Sequence, residues 1–140
     1  KARNDVQNTA LGFAQRMSDA DSVIGEVGSQ FTGFRSYFSG NRFFPNLLKS
    51  DDRQRYEQAQ RNFINAVLRK ESGAAISPSE FESAAKQYFQ QPGDGQEVII
   101  QKAANRKTAI NSLARSSNTD AALLNPKMGN SYQDYLNAVK

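Results

Sequence analysis

Between residues 6 and 31, apolar side chains recur at alternating steps of four and three: Val6, Ala10, Phe13, Met17, Ala20, Ile24, Val27 and Phe31. That spacing sets them on one side of an α-helix. Strict alternation is also a heptad seam, suited to lengthwise packing against the chain's own core or against another chain. Gly25 and Gly28 weaken the last turns and permit a close helix approach or an early end. A second helix opens at Ser50, read as a cap, with Asp51 and Asp52 at its positive end. Tyr56, Ala59, Phe63, Ala66 and Val67 line its inner face, which Ile64 and Leu68 widen. Arg69 and Lys70 suit its last turn, and Gly73 its stop.

"SPSEFESAAKQYF" holds a complete helix start: Ser77 as cap, Pro78 at the first helical position and Glu80 three residues after the cap. Phe81, Ala84, Ala85 and Tyr88 give it one apolar face. "QQPGDG" at 90–95 is turn chemistry, and Asp94 or Gly95 opens a fourth helix. Val98, Ile99, Ala103, Ile110 and Leu113 are expected inward on it, and Lys102, Arg106 and Lys107 outward. After Arg115 the chain loosens through "SSNTDAALLNPKMGNS", and Tyr132, Tyr135, Leu136 and Val139 mark a short terminal helix. No internal repeat and no period-2 strand is visible. The pattern predicts an all-α fold, a small bundle of about four amphipathic helices plus a short C-terminal helix. Its domain is expected at 1–115, with a loose extension at 116–140.

One segment breaks the helical pattern. Residues 32–50 are punctuated by Gly33, Gly40 and Pro45, yet carry Phe34, Tyr37, Phe38, Phe43 and Phe44. Three readings fit so many aromatics: a loop pinned onto the core, a surface that docks a partner, or a platform for single-stranded nucleic acid. Each buried ring would remove about 150–250 Å² from water, more than a lean core can accept alongside three helix faces. At least two of the five are therefore expected to contact another protein chain.

Composition narrows the chemistry. The 140 residues contain no cysteine, histidine or tryptophan, which removes disulfides, thiolates, imidazole bases and the usual zinc ligands. Hydrophobic residues make up 38% and mean hydropathy is −0.70, so the core is modest and part of the stability is expected from other chains. The formal charge of +4 is dispersed, as on a solvated surface, and leaves room for incidental contact with DNA or another anionic surface. No apolar run approaches the roughly 18 residues of a membrane span. Lys1, in place of an initiator methionine, fits a processed chain or part of a longer polypeptide, and the second is expected.

Two residue groups invite a function. Lys102 and Arg106, four apart, share a helix face with Lys107 beside them. They are the candidate nucleic-acid contacts, whose affinity would fall steeply with salt. Glu71-Ser72, with Ser77-Pro78 following, resembles a short stretch of lytic transglycosylases. That resemblance implies Glu71 as a general acid, kept protonated by an apolar pocket, cleaving peptidoglycan. The family's Gly-Leu-Met-Gln stretch has no counterpart, because residues 79–92 read as an amphipathic helix. By position alone, Glu71 belongs to a last helical turn.

A longer resemblance covers roughly residues 10–110. Glu71-Ser72-Gly73-Ala74-Ala75-Ile76, Gln91-Pro92-Gly93-Asp94, and Glu97, Val98, Ile99, Gln101, Lys102, Ala103 and Arg106 are similar to a block found in internal virion (ejection, or DNA-transfer) proteins of tailed bacteriophages. "ALGFAQRMSDADSVI" fits the helix that precedes the block, and Gln90 departs from the family's usual proline. The resemblance implies a non-enzymatic structural protein without cofactor, metal or small-molecule ligand. It would sit inside the phage particle or tail, near the portal–tail channel, and assist genome delivery across the host envelope. Its partners would be further copies of itself, portal, tail or other ejection proteins, and phage DNA without sequence preference.

Overall fold

Two helix starts show how closely local chemistry sets the elements. The Ser77 hydroxyl accepts from the Glu80 N–H at 3.2 Å, while the Glu80 carboxylate accepts from the Ser77 N–H at 3.2 Å. This is the reciprocal cap expected from the sequence. Asn4 and Gln7 make the same exchange at 2.8 and 3.0 Å, a start signal that the apolar spacing alone did not reveal. The computed structural model describes residues 4–29, 50–72, 75–91, 94–118 and 131–138. Over these the chain forms α1 (Asp5–Ser29), α2 (Ser50–Ser72), α3 (Pro78–Tyr88), α4 (Gln96–Ser116) and α5 (Ser131–Ala138), with no strand among the described residues. The all-α expectation holds.

Arg55, near the start of α2, reaches Glu26 near the end of α1 at 3.4 Å, so these two helices run antiparallel. α1 packs against α2, α4 and α5, while α3 bridges α2 and α4. The heptad stripe of α1 thus faces the chain's own core through Ala10, Met17, Ala20, Ile24 and Val27, with Ala14 buried beside them and Phe13 only half-buried; Phe31 lies outside the described residues. Val6 does not join it and is 77% exposed. In the register set by Arg55 and Glu26 it falls beyond Ser72, where α2 has ended. Phe63 of α2 is fully buried and packs edge-on against the rings of Tyr88 and Phe89, with centroids 5.3 and 5.5 Å apart.

On α4 the inward row is Ile99, Ala103, Arg106, Ile110 and Leu113, all buried. Val98, expected inward, stands one step off that row and is 43% exposed. The helix opens on Gly95 and ends where Ser117 N–H bonds the Leu113 and Ala114 carbonyls. Asn118 then takes the left-handed conformation at φ 61°, a common way to stop a helix.

Within the stretch expected as an extension, the C-terminal helix is part of the core: α5 has Ser131 and Tyr135 fully buried and is built in with α1 and α4. Gly25 makes this possible: a Cβ there would lie 2.8 Å from Ser131 Cα, so only glycine lets α5 sit down on α1 at this point. The aromatic segment with Phe34, Tyr37, Phe38, Phe43 and Phe44 lies outside the described residues.

Candidate functional site

The most concentrated chemistry in the fold is an ionic junction between α1, α4 and α5. Asp21 of α1 is 0% exposed and Arg106 of α4 is 2% exposed. Arg106 Nε donates to Asp21 Oδ1 at 2.7 Å. Its Nη2 donates to Ser131 Oγ at 2.8 Å and its Nη1 to the Tyr88 carbonyl at 2.6 Å, which ties in the end of α3. Ser131 closes the circuit: its N–H donates to Asp21 Oδ2 at 3.0 Å and its hydroxyl to Asp21 Oδ1. The guanidinium carbon also lies 5.0 Å from the centre of the Phe89 ring, within cation–π range.

Burial opposes the charge on Arg106, but nearby Asp21, Tyr135 and Tyr56, with the hydrogen bond to Asp21, more than offset it and raise its pKa. The guanidinium is therefore a permanent charge, held rather than exchanged. Asp134, in the first turn of α5, is pushed above the usual carboxylate range by burial first and by Asp21 second. Asp19, on α1, is raised by burial alone.

A second polar cluster supports the turn between α3 and α4. Lys102 Nζ donates to Asp94 Oδ2 at 2.6 Å and to the Phe89 carbonyl at 3.1 Å. The Gln91 N–H donates to the same Asp94 oxygen at 2.9 Å, and the Gln91 side-chain amide reaches the Ala85 and Phe89 carbonyls. Close by, Gln90 is buried and its Nε2 finds no hydrogen-bond partner among the described residues.

These two clusters absorb the candidate nucleic-acid residues. Lys102 and Arg106 do share a helix face, as their spacing requires, but that face points into the protein. Arg106 is inside the core and Lys102 is committed to Asp94, so the outward placement is corrected. Lys107 is half-buried, with its Nζ 5.6 Å from the centre of the Tyr132 ring. The three cations do not form a free patch. Sequence reasoning missed Asp21 and Ser131 altogether. A signal existed for the first: Asp21 stands four residues after Met17 and three before Ile24, on the inward side of α1.

Glu71 lies in the last turn of α2, and its side chain is outside the described residues. A groove of about 990 Å³ between α1 and α2 is lined by Arg16, Arg55, Arg61 and Arg69 against Asp19 and Glu57, with Phe13 beside them, so cations outnumber acids along it. Among the described residues, no group of three or more carboxylates could hold a metal ion, and no helix is long and apolar enough to cross a membrane. In chemical terms the buried junction is a clamp, because each Asp21 oxygen and each guanidinium nitrogen already has a partner. Comparison with protein-family models, curated proteins and solved structures finds no match to this chain.

Proposed function

We propose that the protein is a non-enzymatic structural component of a tailed-phage particle. It would act as an internal or ejection protein, assembling in or near the portal–tail channel and assisting genome delivery across the host envelope. One observation carries the reading beyond the resemblance itself. Four of the polar residues that resemble the phage block (Gln91, Asp94, Lys102 and Arg106) brace the fold from within, while Glu97 and Gln101 are exposed. Asp21, which closes the junction, belongs to the upstream stretch that fits the same pattern. Charged residues committed to holding helices together, as Asp94, Lys102 and Arg106 are, mark a building part rather than a reaction centre, which supports the structural reading over peptidoglycan cleavage.

The lean core and the lack of cysteine suit a chain that is stabilised by neighbours and passes a narrow channel. The test is mass spectrometry of purified particles, followed by fractionation of infected cells. The chain should be present in particles in several copies and appear in the envelope fraction after infection. Its absence from particles would end the proposal. Glu71→Gln compared with wild type in a cell-wall clearing assay separates the enzymatic alternative: wild-type clearing that the substitution abolishes would favour catalysis.

A further inference from the structure

We propose that the socket formed by α1 and α4 is an interface for a second copy of this chain, receiving that copy's α5 in exchange for its own. The socket is a built receptor for a helix start. Asp21 offers one carboxylate to both the N–H and the hydroxyl of Ser131, Arg106 binds the same hydroxyl, and Gly25 leaves the space that the Ser131 backbone occupies. Tyr135 seals it one turn on, fully buried.

Three features make the occupant exchangeable. At eight residues, α5 is too short to be a stable helix by itself, so its structure depends on the socket that holds it. An empty socket is disfavoured as well: Asp21 and Arg106 would keep each other but lose the bonds from the Ser131 N–H and hydroxyl and the apolar cover of Tyr135. Finally, residues 119–130 separate α5 from Asn118, and twelve residues can span up to about 40 Å. A helix supplied by a neighbour reproduces each bond of the resident one. Own and exchanged forms therefore differ chiefly in the linker and in concentration, as in domain swapping. A short tether gives an effective concentration in the millimolar range, so exchange becomes populated when copies approach that concentration or are held side by side. This is a property of the chain itself, whatever particle it belongs to.

The experiment co-refolds ¹⁵N-labelled and unlabelled wild-type protein at about 1 mM and reads mixed-mass dimers by native mass spectrometry. Two variants identify the surface. Gly25→Ala fills the socket but keeps α5 intact, whereas Tyr135→Asp leaves the socket open but disables α5. Mixed dimers are expected from wild type, from neither variant alone, and again when the two variants are refolded together, where pairing can run in one direction only. Circular dichroism confirms that each variant remains helical; should one fail to fold, wild type and the remaining variant still decide. Wild type that stays monomeric at 1 mM overturns the proposal, and so do dimers that survive in Gly25→Ala or Tyr135→Asp alone.

Discussion

Replacing Arg106 by methionine tests the junction most directly. The substitution keeps an unbranched apolar stem in the core but removes the bonds to Asp21, Ser131 and the Tyr88 carbonyl. Asp21, with 0% exposure, is left as a buried carboxylate facing only Ser131. Removing one member of a buried pair typically costs about 3–5 kcal/mol. Against a total stability of about 5–15 kcal/mol for a domain, that is about a fifth of the whole or more. At the entropy of unfolding expected for this length it lowers Tm by about 10–20 °C. The double variant Asp21→Leu/Arg106→Met should recover most of the loss, because paired apolar replacement of a buried ion pair is often near neutral. A residual cost of about 1–3 kcal/mol is expected from the orphaned Ser131 N–H. Urea unfolding followed by circular dichroism at pH 7, on wild type, both single variants and the double, gives the coupling energy. If Arg106→Met costs less than about 1 kcal/mol, or the single effects add within about 0.5 kcal/mol, the junction is not the clamp described.

Three further outcomes follow from single sites. Gln90→Pro should raise stability by about 1 kcal/mol, because it removes a buried amide nitrogen that has no partner among the described residues and stiffens the unfolded chain. Phe89, extended at φ −132° and ψ 149°, already has the backbone that a residue before proline requires; a fall in Tm would refute the reasoning. Ser77→Ala removes the hydroxyl that caps α3 and should cost about 1 kcal/mol in urea unfolding, with an unchanged midpoint as the contrary result. Asp134→Asn should stabilise the protein at pH 7. The folded-state pKa of Asp134 lies above its ordinary value of 3.8, so its ionised form is disfavoured by folding; the penalty is present at neutral pH and is relieved as pH falls through the raised value. The advantage of the variant should therefore shrink on acidification and vanish below about pH 3.8. A pH-independent difference would show that the carboxylate charge is not the cause.

The parts of the fold that were legible in the sequence are the parts fixed within a few residues. The Ser77–Glu80 cap, the Gly95 start and the short terminal helix all depend on neighbours along the chain, and all are found. The misplaced side chains depend on distant ones. The charge of Arg106 points to solvent, although its spacing continues the inward row of Ala103 and Ile110. Its partners Asp21 and Ser131 lie 85 and 25 positions away. Charge and periodicity gave opposite answers at this position, and periodicity was the better guide because an opposite charge on α1 offsets the cost of burial. Val6 failed for the complementary reason: its spacing was correct, but the helix it would have packed against ends too soon. The α5 helix was legible as a helix but not as core, since its attachment rests on Gly25 and Asp21, whose value to it is invisible without the third dimension.

The junction also sets an order of events during synthesis. Asp21 and Ser131 are 110 positions apart, and at about 5–20 residues per second the later one follows the earlier by about 5–20 s. Arg106 precedes Ser131 by 25 positions, an interval of about 1–5 s at the same rates. For that time a growing chain holds the Asp21 carboxylate and the Arg106 guanidinium without the Ser131 groups that complete the junction, and water must stand in for them. The fold closes from its end backwards, and a chain halted at Asn118 should resemble a loosely packed set of helices more than a smaller version of the finished protein.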